Sequence, residues 1–329
     1  MDAISANHLI KEYTKGVRAV DDISFSVLEG EIFGMLGPNG AGKTTTIKMI
    51  TTMTKPTSGT ISVFGTSALQ KPTEVRQMLG YVPQAVSADG DLTAYENLLI
   101  FAKLFYVERS VREKRIRDAL EYMGLTERAN DLVKHYSGGM MRRLEIAQAL
   151  VDRPKILFLD EPSIGLDPSS RRQGWEYIKS LNKEFGTTIF ITTHDMIEAD
   201  ELCDRVAIMN AGKIAVSGPP TELKSSIGGD VVTVRLNAIP TNMLIPREIG
   251  SLIDSEGETL RILTARAETA MPKIVDFFEK SGLVAESISF SRPNLDDVFV
   301  KYTKAKLQQE TGTLKDTMAT RRSFAGHAS

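Results

Sequence analysis

Residues 37–45, GPNGAGKTT, place three glycines, one lysine and two adjacent hydroxyls in a single short loop. Glycines let backbone N–H groups turn inward around a chain of phosphates. In such a loop Lys43 would meet the β- and γ-phosphates, and the Thr44 hydroxyl would ligate Mg²⁺. Gly37, Pro38, Asn39, Gly40, Ala41, Gly42, Lys43, Thr44 and Thr45 are therefore candidate nucleotide contacts. The loop follows an apolar run, IFGML, and opens a helix-compatible stretch, TTTIKMITTM, whose N-terminal dipole would add to the attraction. That order makes a chance lysine in a glycine-rich turn a poor explanation. The motif indicates a nucleoside triphosphate and is silent on its use.

A second apolar run, ILFLDE, ends in two acids. A buried strand tolerates an acid at its C-terminal edge where a cation meets it. Asp160 suits a Mg²⁺ ion held through water. Glu161 points the other way along the pleat and could polarise an attacking water. Read alone, Glu161 is equally an ordinary exposed residue after a strand.

These residues need a scaffold. ISANHLIKEY and AVDDISFSV alternate as half-buried strands, and TKPTSGTISVFG reads as a turn and a strand. From about residue 92 to 132 apolar positions recur at helical spacing, in AYENLLIFAKLFY and VREKRIRDALEYMGL. Helix and strand then alternate through RRQGWEYIKSLNKEF, TTIFITT, MIEADELCD and RVAIMN, with a hairpin-like turn at Ala211-Gly212-Lys213. That alternation predicts an α/β domain with a mostly parallel sheet. A linker-like stretch from Gly218-Pro219-Pro220 to Gly228-Gly229 precedes a smaller α+β unit of VVTVRL, TLRILT, a helix from PKIVDFFEKSG, and VAESISFS. Residues 303–329 read as a mobile tail. From Lys301 onward it carries six Lys or Arg against two Asp or Glu, which fits a solubilising end better than a contact with anionic lipid.

Composition narrows the classes. The chain has 329 residues, 42% hydrophobic, with a formal net charge of −2. That balance argues against a general nucleic-acid coat, and no nucleic-acid partner is expected. One cysteine, Cys203, cannot form an internal disulfide framework. No apolar run reaches the roughly 20 residues of a membrane helix, so a chain of this kind would need a separate membrane partner.

Further motifs turn these pieces into a family pattern. YSGGMMRRLEIAQAL opens an amphipathic helix after a small-residue turn, SIGLDP follows the two acids, His194 ends IFITTH, and Tyr81-Val82-Pro83-Gln84 lies between. Over about residues 3–222 this order resembles the ATP-binding subunit of an ABC transporter. The resemblance implies a P-loop NTPase of ABC type, with a helical insert at about residues 85–150, within residues 1–222. A small accessory or dimerisation domain over 223–302 would follow. It also implies that Tyr13 stacks on adenine, that Gln84 senses Mg²⁺, and that Thr44, Gln84 and Asp160 form the metal set. Ser137, Gly138 and Gly139 would contact the γ-phosphate held by another subunit, with Asp167 at the seam. Glu161 and His194 would be catalytic. Each has a plainer reading alone: Tyr13 as a surface tyrosine, Gln84 as a loop residue, Asp167 as the cap of a helix begun at Pro168.

Tyr136 and Met140 stand where Leu and Gln are usual in the signature, a form that resembles ABC-2 type exporters of the daunorubicin-resistance group. ISFSRPNLDDVFVKYT resembles the segment that closes chains of that group. The implied protein hydrolyses ATP with Mg²⁺, pairs with a second ATPase subunit, and powers export through an ABC-2 type membrane subunit at the cytoplasmic face of the membrane. LTAYENLLIFAKLFY would face that partner. A soluble ABC-type ATPase in a non-transport complex is the alternative.

Overall fold

The computed structural model describes residues 1–14, 16–238 and 245–303. The expected mobile tail, apart from Thr303, lies outside the described residues. The chain divides into two compact units, 1–217 and 218–329, at the Gly218-Pro219-Pro220 turn.

The first unit begins with β1 (Asp2–Tyr13), β2 (Val17–Leu28), β3 (Ile32–Leu36), α1 (Lys43–Ile50), β4 (Ser58–Val63), β5 (Thr66–Ser67), α2 (Pro72–Arg76) and β6 (Leu79–Val82). The helical insert follows as α3 (Ala94–Leu104), α4 (Arg109–Tyr122), two short 3-10 turns and α5 (Gly138–Leu150). Then come β7 (Ile156–Asp160), α6 (Pro168–Phe185), β8 (Thr188–Thr193), α7 (Met196–Leu202), β9 (Arg205–Asn210) and β10 (Lys213–Gly218).

The strands form two sheets. One is antiparallel, ordered β2-β1-β4-β5; the other is ordered β10-β9-β3-β8-β7-β6. In the second sheet β3 pairs in parallel with β8 and β9, and β7 with β6 and β8. Ala211 and Gly212, both at positive φ, make the two-residue hairpin turn from β9 to β10. Every residue of β3, β7 and β8 is buried, as expected of parallel strands covered on both faces. Phe25 of β2 stacks on Phe33, and Phe33 and Phe158 each lie 5.4 Å from Phe190, so an aromatic row joins the two sheets. Alternation along β1, β2 and β4 shows one wet face per strand; it does not say that these strands leave the parallel sheet and pair among themselves.

The α3 N-terminus carries a reciprocal capping box between Thr93 and Glu96. The α3 residues Ala94, Leu98 and Ala102 face the interior, and Ile100, Leu104 and Phe105 face out.

The second unit contains α8 (Pro220–Ser225), β11 (Asp230–Leu236), β12 (Ser251–Glu256), β13 (Thr259–Thr264), α9 (Ala267–Lys280) and β14 (Ala285–Ser291), with sheet order β12-β13-β11-β14. Val232, Val234, Leu260, Ile262, Ile274 and Phe278 form its core. Two readings change here. β12 was not expected, and α9 begins at Ala267, five residues before the proline taken as its start. The Asp230 carboxylate accepts the Ala267 N–H at 2.8 Å and fixes that earlier first turn, with Pro272 inside the helix. After β14, residues 295–303 are helical. Asn294 and Asp297 exchange backbone-to-side-chain hydrogen bonds at 2.9 and 3.0 Å, and buried Asp297 also pairs with Arg261 of β13. The RPNLDD segment is thus a cap pinned to its own sheet.

Candidate nucleotide site

The C-terminal ends of β3, β7 and β8 meet, the edge at which open parallel sheets hold ligands. Backbone bonds fix them together: Gly37 N–H donates to the Thr193 carbonyl at 3.2 Å, and Glu161 N–H to the Thr192 carbonyl at 3.0 Å. The loop after β3 depends on two glycines. A Cβ on Gly37 would strike the Met209 carbonyl oxygen, and Gly42, at φ 110°, caps α1 in a left-handed conformation. Pro38, Asn39 and Gly40 are exposed at the loop tip; Ala41 and Gly42 are buried, and Thr44 and Thr45 are half-buried.

Lys43 is 5% exposed and folds back on its own loop. Its Nζ donates to the Gly37 carbonyl at 2.6 Å and the Pro38 carbonyl at 3.3 Å, and lies 3.1 Å from Glu161 Oε1. The other oxygen of Glu161, Oε2, lies 2.7 Å from His194 Nδ1. Glu161 is therefore buried between two cationic or hydrogen-bonding groups; the exposed alternative is wrong. Its backbone is left-handed at φ 52°, a costly conformation for a residue with a Cβ. The Thr192 hydroxyl and carbonyl both accept its N–H.

One residue earlier, Asp160 is 1% exposed. The Thr44 hydroxyl donates to its Oδ1 at 3.2 Å, and the Thr192 hydroxyl donates to the same atom. Tyr81 of β6 reaches Oδ2 at 3.5 Å; burial, then Asp160 itself, pushes the phenol up to about 12, so it stays a donor. Among the described residues no group of three or more His, Cys, Asp or Glu could hold a metal. The donor set is instead a hydroxyl and one carboxylate, oxygen ligands that suit a Mg²⁺ ion completed by phosphates and water.

A family model described as ABC transporter matches residues 20–164. The daunorubicin/doxorubicin resistance ATP-binding protein DrrA of Streptomyces peucetius is 38% identical over 92% of each chain. The linearmycin resistance ATP-binding protein LnrL of Bacillus subtilis (strain 168) is 37% identical over 93% of this chain and 99% of its own. The chain belongs to the ABC transporter ATP-binding proteins. A dimeric solved structure, the ATP-binding cassette MJ0796 bound to ADP and Pi, is similar with a TM-score of 0.60 and 27% identity, over 66% of this chain and 98% of that one. The protein is an ATPase that powers transport, of the exporter type.

Not every expected contact of this ABC ATPase gathers at the phosphate loop. Ser137 caps α5, its hydroxyl accepting the Met140 N–H at 3.2 Å. Gly138 is exposed, and Gly139 packs so closely on α6 that a Cβ would lie 2.7 Å from Ser170 Oγ. Asp167 caps α6, accepting Ser169 and Ser170 N–H at 3.0 Å each; the Ser170 hydrogen bonds hold its carboxyl below the usual range. Tyr136 donates its hydroxyl to the Arg128 carbonyl at 2.7 Å, anchoring the turn before Ser137. Gln84 is exposed after β6, and no hydrogen bond joins it to Thr44 or Asp160 among the described residues. Tyr13 is 42% exposed at the end of β1, with the Lys11 ammonium 5.1 Å from its ring.

Sequence reasoning missed several residues. Thr192 looked like any strand threonine. Ser163, Trp175 and Glu198 form a buried cluster: Ser163 donates to Glu198, and Trp175 Nε1 donates to Ser163 Oγ at 3.0 Å and Glu198 Oε1 at 3.1 Å. Three elements distant in sequence supply it. A polar residue on an otherwise apolar helix face, as at Glu198, is the only signal a sequence could offer.

Proposed function

We propose that two copies of this ATPase close on ATP, each phosphate loop meeting the Ser137-Gly138-Gly139 turn of the other copy, and that the closure drives export through a separate ABC-2 type membrane subunit at the cytoplasmic face. The observation that carries this reading is the arrangement of Lys43, Glu161 and His194 beside Thr44 and Asp160. These are the groups one chain would bring to hold a γ-phosphate and orient its attacker; Gln84 and the Ser137 turn of the other copy would complete the site. The amide end of α5, which would cap the same phosphate, is capped by its own Ser137 hydroxyl and packs on Ser170 of α6.

The ion pair suggests an order of events. Phosphate oxygens compete with Glu161 for the Lys43 ammonium. Once Lys43 turns to the β- and γ-phosphates, Glu161 Oε1 is free to take a proton from water as that water attacks the γ-phosphorus. The bond to the bridging oxygen breaks, giving ADP and phosphate. His194 holds Glu161 by its other oxygen and faces the γ-phosphate with its remaining ring nitrogen. Thr44 and Asp160, with Gln84, would hold Mg²⁺, which when bound neutralises charge on the phosphate oxygens. Tyr13 offers its exposed ring to adenine. Phosphate loss removes the contacts made by Ser137, Gly139 and His194, and the pair reopens.

The membrane-facing surface is the outer side of α3 and its end. Leu104 is 64% exposed and Tyr106 91% exposed, while the opposite face of the helix packs on α4 and α5. Apolar groups left out along the outer side of α3 and just past its end, Ile100, Leu104, Phe105 and Tyr106, suit an apolar partner. The second unit serves as a dimerisation or regulatory module. Export is supported by the relatives named for resistance to daunorubicin/doxorubicin and to linearmycin.

The test is Glu161→Gln. Phosphate release should fall by about 10²–10⁴-fold, and the chain should elute as an ATP-stabilised dimer; chelating Mg²⁺ should abolish turnover of the parent. Equal turnover in parent and variant would remove Glu161 from its role.

A further inference from the structure

The segment between β6 and α3, residues 83–91, contains Gln84 and leads to the membrane-facing helix. At Pro83 and Ser87 its hydrogen bonds run to one ridge of α5, and at Asp89 to Asn97 of α3, which that ridge also holds. Arg142, Glu145 and Gln148 recur every third residue on α5 and are 8%, 3% and 1% exposed. Such spacing puts them on one face.

Arg142 sits at a junction. Its Nη1 donates to the Pro83 carbonyl at 2.7 Å and pairs with Glu145 Oε2 at 3.0 Å; its Nε donates to the Pro162 carbonyl and its Nη2 to the Asp160 carbonyl, both at 3.0 Å. One planar guanidinium thus ties the start of the 83–91 segment to the residues on either side of Glu161. Glu145 Oε1 accepts the Ser87 N–H at 2.5 Å and the Ser87 hydroxyl at 3.1 Å. Gln148 Nε2 donates to Asn97 Oδ1 at 3.2 Å. Asn97 in turn accepts the Asp89 N–H and donates to the Asp89 carbonyl, both at 2.9 Å. The segment is held near its start, middle and end.

A buried arginine and glutamate are expensive to keep, and apolar residues of similar size would pack the same space at less cost. The α5 helix has apolar neighbours enough in Leu144, Ile146 and Ala147 to bury itself. We infer that Arg142, Glu145 and Gln148 are positioning residues, a latch by which residues 83–89, α5 and the end of β7 shift as one body. A push on α3 from the membrane side then moves the backbone that presents Asp160 and Glu161. Closure around ATP moves α3 by the same path. This inference rests on the ATPase activity and on the membrane-facing role proposed for α3; the kcat of the isolated chain tests the latch itself, whatever faces α3 and however many copies assemble.

The test uses the full chain. Arg142→Met combined with Glu145→Leu removes both charges and keeps the volume. The latch predicts a kcat about 10- to 100-fold lower with KM for ATP changed by less than about twofold, because Lys43 and Thr44 are untouched. Folded double variant with kcat within about twofold of the parent overturns the inference. Should that variant fail to fold, Glu145→Gln decides: it keeps an acceptor for Ser87 and removes the charge beside Arg142. It should speed hydrogen exchange at the Ser87 amide by about tenfold and lower kcat at least threefold. Unchanged exchange, or faster exchange with full kcat, refutes the latch.

Discussion

The two ends of the nucleotide site differ in what completes them. At the phosphate-loop end, Lys43 and Thr44 of the first turn of α1 meet Asp160 and Glu161 at the end of β7 and His194 just after β8. At the signature end, Ser137 and Asp167 spend their side chains on the first turns of α5 and α6. No hydrogen bond among the described residues joins the second set to the first. The first end is a buried cluster whose cation, Lys43, rests on Glu161; in the proposed mechanism a phosphate displaces that acid. The second is a helix terminus whose amides have no phosphate to meet within their own chain.

Lys43→Ala should give the largest effect and separates the two ends. It removes the ammonium from the phosphate-loop end and leaves α5 as it is. Steady-state phosphate release should fall by about 10³-fold, and the melting temperature should drop as well, because buried Glu161 loses its ammonium partner and keeps only His194. A variant with near-parent turnover would place the phosphate contact elsewhere.

Gly34→Ala tests the sheet beneath both ends. A Cβ there would lie 2.6 Å from Cys203 Sγ and 3.1 Å from a Val206 methyl, deep between β3 and α7. Overpacking of this kind costs about 1–3 kcal/mol. Denaturant unfolding should show that loss with KM for ATP unchanged at temperatures where the variant is folded. A changed KM with full stability would mean that β3 tunes the loop directly.

Glu198 of α7 is bonded to Ser163, two residues after Glu161, and to Trp175 of α6. Burial raises its carboxyl above the ordinary 4.5, against the hydrogen bonds from Ser163, Thr193 and Trp175. The folded chain therefore holds the Glu198 proton more tightly than the unfolded one. That contribution is full below the unfolded pKa and is lost as pH rises through the raised value. Glu198→Gln keeps the acceptor oxygen and removes the titration. Stability measured across this range should decline less with rising pH in the variant, by a small margin. Parallel curves would show that Glu198 has no part in the pH dependence.

How far the sequence carried these conclusions follows the same division. The phosphate loop was legible because strand, loop and helix are contiguous, and the acids at 160 and 161 because an apolar strand ends on them. The burial of Glu161 was not, since Lys43 reaches it from the start of α1 and His194 from the end of β8. Partition of the early strands into a separate antiparallel sheet, and the latch of Arg142, Glu145 and Gln148 on a segment some 60 residues earlier, depend on pairings that local patterns do not encode. In the second unit Pro272 was a misleading start signal, because a carboxylate from β11 caps the helix upstream of it.

Mixing two inactive chains tests the split site most directly. Lys43→Ala disables the phosphate-loop end. Gly138→Asp adds a carboxylate at the α5 terminus, where the nearest atom to a new Cβ is a Leu166 methyl at 3.6 Å, so the fold has room for it. Each variant alone should be nearly inert. Mixed in equal amounts and assembled together, they should recover about a quarter of parent ATPase activity, since half the pairs would contain one intact composite site of two. Activity of the mixture equal to the average of the separate variants would contradict the account.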